Sequence, residues 1–231
     1  MPPPTFLRKA RFALVYPLVI GLLLFARTTE GSWAWGIAII ALGETLRVWA
    51  NGYVGHVKAG RDIAADQTII PKGRLITAGP YAFVRHPLYL GTMLLGLGFC
   101  VMVGNAWLAL IALVFFLTMY RGKMAEEEAR IKDAYPAYAA YERAVPRWIP
   151  TGRRYPDRAG RWTWQGIAAS NEWKTVIWVT VLVIALYFRE EVFEGREWLA
   201  RGKAIQQVLL LALAAALILY DIGYELVKRS R

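Results

Sequence analysis

Arg85, His86 and Pro87 stand in a row, and after a long apolar stretch three carboxylates follow at Glu126, Glu127 and Glu128. Proline suits the first position of a helix, where its missing N–H would have been unbonded anyway. The cation and the imidazole are therefore expected at the mouth of a helix N-terminus, whose free N–H groups and partial positive charge favour an anionic group. Tyr81 and Tyr89 flank them with aromatic faces and hydroxyls. Aromatic rings beside carboxylates suit a cationic group. The full set would hold a small molecule that carries both signs of charge.

Two elements must position these residues. The stretch Thr77–Gly91, TAGPYAFVRHPLYLG, turns at Gly79–Pro80 and then launches a helix at Pro87. Leu88–Val103 and Trp107–Tyr120 are apolar runs joined only by Gly104 and Asn105, so they form an antiparallel helical hairpin. That hairpin returns the chain to the face where it started and sets the glutamates beside His86. Helical character continues over Arg121–Ala144, with Lys123 and Glu127 one turn apart and Pro136 as an interruption.

Composition says where this happens. Of 231 residues, 57% are hydrophobic, well above an ordinary soluble domain, and they fall in blocks. Further spans are expected at Phe12–Ala26, Trp33–Ala50, Val176–Phe188 and Ala204–Ile222, six in all with the hairpin. The first is read as a retained helix rather than a cleaved signal, since no small-residue cleavage site follows it. Asn51–Thr77 reads as a polar surface loop and Thr151–Trp173 as a basic aromatic surface segment. The net charge of +11 sits beside the apolar blocks, which fits a membrane-flanking pattern and not nucleic-acid binding. Both termini and both polar motifs are expected on the cytoplasmic side, because the Arg189–Lys203 linker is balanced in charge and the others are basic. One cysteine and two histidines leave no disulfide and speak against a zinc site.

S-adenosylmethionine, with a sulfonium, an ammonium, a carboxylate and an adenine, matches the mixed character of the site. No glycine-rich dinucleotide fingerprint follows a strand. Each residue also has a plainer role available. Arg85 could contact lipid phosphate, the glutamates could be a solvated helical face, and Tyr135, Tyr138 and Tyr141 could be interfacial anchors. Glu44 and Arg47, within the second span, lie on one face and are close enough to pair.

GPYAFVRHPLYLG, followed after the hairpin by EE, YAAY and VPRWIP, resembles the isoprenylcysteine carboxyl methyltransferase family and the related phospholipid methyltransferases, over about Leu46–Pro150. The resemblance implies an all-α polytopic membrane bundle with a cytoplasmic cofactor pocket, S-adenosylmethionine as methyl donor, and a lipophilic acceptor from the bilayer. It places cofactor contacts at Gly73, Arg74, Leu75, Ile76, Tyr81, His86, Pro87, Leu88 and Tyr89. The glutamate holding the cofactor's amino-acid end is Glu127 or Glu128, since Tyr135-Pro136 stands where the family has Phe-Gly and the spacing is one residue shorter. Arg47, the acceptor-site arginine, and Glu127 are the implied catalytic residues, with Lys123 a second acceptor-side cation. The helices from Val176 onward fall outside the resemblance. Two rival readings are a sterol-reductase-like enzyme using a reduced nicotinamide nucleotide and a non-enzymatic transporter or scaffold.

Overall fold

The computed structural model describes residues 28–59, 75–193 and 204–229, with residues 20, 21 and 24. Among the described residues there are seven α-helices and no strand: α1 (Glu30–Ala59), α2 (Pro87–Val103), α3 (Ala106–Ala134), α4 (Tyr138–Ala144), α5 (Trp164–Ser170), α6 (Glu172–Phe193) and α7 (Ala204–Arg229). A short 3₁₀ turn covers Gly79–Ala82. The chain divides into two compact units, Met1–Ser170 and Asn171–Arg231. The first expected span lies outside the described residues except for Ile20, Gly21 and Leu24.

The hairpin forms where its sequence places it. Pro87 is the first residue of α2 and His86 its N-cap. At the other end Gly104 caps α2 in the left-handed region (φ 68°), which a side chain there would resist. Asn105 then starts α3, its side-chain oxygen accepting from the N–H groups of Trp107 and Leu108 at 3.1 and 3.2 Å. Asn105→Ala is expected to lower stability by about 1 kcal/mol, read as a lower melting temperature in detergent, because two first-turn donors lose their acceptor.

α3 does not stop at Tyr120. It runs unbroken for 29 residues and ends before Pro136, where Tyr135 is pushed to extended backbone (φ −133°, ψ 102°). The apolar wall and the carboxylate end are thus one helix.

α1 and α2 pack through glycines. Gly36 and Gly43 lie two turns apart on α1, and Gly91 and Gly98 two turns apart on α2, so each pair shares a face. A Cβ on Gly43 would stand 2.8 Å from the Gly91 carbonyl oxygen, and one on Gly36 would stand 2.9 Å from that of Gly98. Small residues of this kind let membrane helices approach backbone to backbone.

One expectation needs correction. The polar loop does not begin at Asn51: α1 continues to Ala59, with Ala50 and Asn51 completely buried. The Thr151–Trp173 stretch is exposed over most of its length, as expected, but the part from Trp162 to Gly166 also packs back on α1. Trp162 lies against Gly52, the Thr163 N–H donates to the Gly52 carbonyl at 2.9 Å, and α5 packs on α1 with Gly166 over the Asn51–Gly52 backbone. Tertiary contacts therefore hold as helix a sequence whose polarity reads as loop.

By length and composition α3 and residues 204–228 of α7 can each cross a membrane, and a third span is obtained if α5 and α6 are taken together. α2 is apolar but has only 17 residues. The second unit is an antiparallel pair. Near the start of α6, Lys174 meets Glu225 and lies 3.2 Å from Asp221, and the Trp178 indole N–H donates to Asp221 at 3.2 Å, both acids lying near the end of α7.

Candidate active site

The turn that carries the motif is fixed from behind by the chain after α4. The Tyr141 hydroxyl donates to the Tyr81 carbonyl at 2.7 Å, and the Arg85 N–H donates to the Pro146 carbonyl at 2.9 Å. Tyr155 N–H bonds Ala82 O at 2.9 Å, and the N–H groups of Thr77 and Ala78 both reach Ala159 O. Tyr138, Tyr141 and Val145 form a buried cluster on which Leu75, Ile131, Tyr135 and Tyr155 pack. Tyr138 and Tyr141 are thus core residues and not interfacial anchors. Burial, ahead of neighbouring charges, raises both phenols, Tyr138 to about 12.

In front of this support lies a buried ion cluster centred on Glu128, which is only 2% exposed. Its Oε1 is 2.9 Å from His86 Nε2, 3.0 Å from Arg85 Nη1 and 3.1 Å from Arg147 Nε. Arg147 Nη2 completes a bidentate contact with Oε2. Such fork geometry is the strongest form of side-chain ion pairing. Arg85 also donates to Glu142 at 3.1 Å, and Glu142 pairs with Lys132 at 2.8 Å. The Lys132 ammonium, and Arg85 after it, hold the Glu142 carboxyl below the ordinary carboxylate range. Arg85 is therefore committed inside the protein, which removes its reading as a lipid-phosphate contact.

Glu127 behaves differently from its neighbour. It is exposed and accepts from the Tyr89 hydroxyl at 3.0 Å. Burial first, then the Glu127 charge, raises the Tyr81 phenol well above its ordinary range, so Tyr81 belongs to the same group. The Lys123 ammonium stands 5.9 Å from the Tyr89 ring centre. The Tyr89 ring in turn packs at 5.6 Å from that of His86 and 5.0 Å from that of Tyr120. Adjacent residues on a helix point about 100° apart, which is how one glutamate is locked inward and the next left available.

Among the expected site residues, the hairpin gathers Tyr81, His86, Tyr89, Lys123, Glu127 and Glu128. Pro87 is buried as the helix starter, and the carbonyl of Leu88 accepts from Thr92 Oγ1 at 2.9 Å. Leu75 packs on the supporting cluster, and Ile76 lies over Gly160. Gly73 and Arg74 lie outside the described residues. Arg47, on α1, donates to the Thr92 hydroxyl on α2, and the Tyr120 ring packs on that of Tyr89. Sequence reasoning gave no role to Arg147 or Tyr120. The signal for Arg147 was its place in VPRWIP, since a glutamate drawn into the fold requires cations and this arginine lies in a quoted motif.

Among the described residues no group of three or more His, Cys, Asp or Glu could hold a metal ion. The model of the isoprenylcysteine carboxyl methyltransferase family matches residues 36–133. The cobalt-zinc-cadmium resistance protein CzcN of Cupriavidus metallidurans is 27% identical over 169 residues, 69% of this chain and 71% of the relative. The nickel-cobalt-cadmium resistance protein NccN of Alcaligenes xylosoxydans xylosoxydans is 26% identical over 160 residues, 64% of this chain and 68% of the relative. The protein-S-isoprenylcysteine O-methyltransferase of Schizosaccharomyces pombe is 32% identical over 77 residues, 33% of each chain. No solved structure matches the chain. The residues matched by the family model hold most of α1, all of α2 and α3 up to its penultimate residue, so the similarity to the isoprenylcysteine carboxyl methyltransferase family covers the hairpin and both glutamates.

Proposed function

We propose that this chain is an integral membrane methyltransferase that uses S-adenosylmethionine and delivers the methyl group to a lipophilic acceptor, a prenylcysteine-type carboxylate or a lipid headgroup. The observation that carries the reading is the division of labour between adjacent glutamates. Glu128 is neutralised within the fold, while Glu127 stands exposed beside two tyrosines and His86. This donor set fits the methyl donor. Glu127 would hold its ammonium, the N-terminal end of α2 its carboxylate, and the Tyr81 and Tyr89 rings its apolar and sulfonium faces.

When bound, S-adenosylmethionine supplies a methyl group activated by positive sulfur. The chain's own residues then align and enclose. The buried cluster behind Tyr81 fixes the turn, the aromatic rings exclude water, and Arg47 with Lys123 would orient an anionic acceptor. Gly73 and Arg74 are included as cofactor contacts on the family resemblance. The basic segments around the hairpin support a cytoplasmic cofactor face within a six-span arrangement with both termini inside.

Glu127→Ala is expected to weaken binding of S-adenosylhomocysteine roughly 10- to 100-fold in calorimetry, the loss of a charge-assisted hydrogen bond. Wild-type protein that binds neither the donor nor its product would overturn the reading. The acceptor is identified by labelled methyl transfer to prenylcysteine analogues and to membrane lipid, with mass analysis of the product. Because CzcN and NccN carry metal-resistance names, the lipid should come from cells grown with and without cobalt, zinc, nickel or cadmium.

A further inference from the structure

His86 has two ring nitrogens, and the fold engages one of them. Nε2 meets Glu128 Oε1 at 2.9 Å. That carboxylate is already bound by two guanidiniums, Arg147 through Nε at 3.1 Å and through Nη2, and Arg85 at 3.0 Å. Guanidiniums remain charged in proteins, so they keep Glu128 ionised, and an ionised carboxylate only accepts hydrogen bonds. The imidazole must therefore donate at Nε2, which leaves Nδ1 of the neutral ring as a bare lone pair.

The N-cap position offers Nδ1 an ordinary use, which is to accept from an N–H of the first turn of α2. His86 makes no such bond, and no hydrogen bond among the described residues engages Nδ1. The charges around the ring are Glu127 and Glu128 against Arg85, with Arg147 acting through Glu128. Two permanent cations on one carboxylate leave little reason for a third. Burial, the largest influence, holds His86 below its ordinary range, against the pull of the two glutamates.

We propose that Glu128 and Arg147 are positioning residues that hold His86 in the Nε2–H tautomer, presenting Nδ1 as a hydrogen-bond acceptor for an N–H of the bound ligand. This rests on the methyl-donor reading only for what Nδ1 meets. The tautomer itself is a property of the unliganded protein.

The test is NMR of the full chain in micelles, labelled with nitrogen-15 at histidine. Only His56 and His86 are present, so a His56→Gln sample assigns the signals. Above the ordinary imidazole range of about 6.5, His86 is expected to show a protonated-type Nε2 and a bare-type Nδ1. Arg147→Gln removes one cation from Glu128. It is expected to raise the titration midpoint of His86 by about one pH unit, roughly tenfold in the protonation equilibrium, with Arg147→Lys recovering most of the shift. A merely structural role for Arg147 would not move that midpoint. An Nδ1–H tautomer in the wild type, or an unmoved midpoint in a folded Arg147→Gln protein, overturns the proposal. Should that variant not fold, the wild-type tautomer decides. S-adenosylhomocysteine is then expected to shift the Nδ1 signal. The expected tautomer with no binding of that compound by calorimetry counts against the methyl-donor reading, and binding that leaves the Nδ1 signal unmoved counts against the role given to Nδ1.

Discussion

Glu128→Ala is expected to destabilise the protein by about 3 kcal/mol, the scale seen when one partner of a buried ion pair is removed. The side chains of Arg85 and His86 are almost as buried as Glu128, while Arg147 is about one-third exposed. Alanine would leave these groups without their shared carboxylate. Arg85 would keep Glu142, but Arg147 and the Nε2–H of His86 would lose their partner. Because Arg147 bridges from the segment after α4, the loss would also loosen the support behind the Arg85–Pro87 turn. The measurement is thermal unfolding in detergent, with size-exclusion profiles as a check on folding. Glu127→Ala, one residue away, is expected to stay within about 0.5 kcal/mol of wild type, as surface changes usually do. Equal melting of Glu128→Ala and wild type would mean that the cluster does not hold the fold together.

The second large effect is expected at the α1–α2 contact. In Gly43→Ala the new methyl would lie 2.8 Å from the Gly91 carbonyl oxygen, 3.0 Å from the Leu95 amide nitrogen and 3.0 Å from Leu94 Cβ. None of these is the tip of a flexible side chain, so the helices themselves must part. Overpacking of this kind costs about 2 kcal/mol. Separation here would also strain the Arg47–Thr92 contact one turn along, so on the proposed function acceptor binding is expected to weaken together with stability. Gly122→Ala supplies the comparison. That glycine lies within α3 with nothing near its missing methyl, and alanine there is expected to stabilise by about 0.5 kcal/mol. If both substitutions melt alike, close backbone approach is not what joins α1 to α2.

What the sequence revealed and what it hid divide along physical lines. Pro87 and the Gly104–Asn105 joint were legible because each acts through its own backbone preferences, within a residue or two of where it stands. The same is true of the break before Pro136. The extension of α1 through Asn51 and Gly52 was hidden because its cause lies in Trp162 and Gly166, far along the chain. The strap over the motif was hidden for another reason. Its bonds at Thr77, Ala78, Ala82, Phe83 and Arg85 join main-chain groups, and residue type says little about those. At the candidate site, residue types pointed to side chains that the fold brings together, while which of Glu127 and Glu128 turns inward depended on helix rotation. The spacing to Tyr135-Pro136 left that open by one residue.

The unbroken course of α3 makes it a ruler. At 1.5 Å per residue, Glu127 stands about 10 Å beyond Tyr120 along the axis, and no break lies between them to let that interval stretch. The height of the carboxylates above the helix's apolar stretch is therefore a constant of the protein. On the proposed function, a bilayer-borne acceptor would be sorted by reach as well as by chemistry. A molecule whose greasy anchor sits too close to its nucleophile would be recognised but not served.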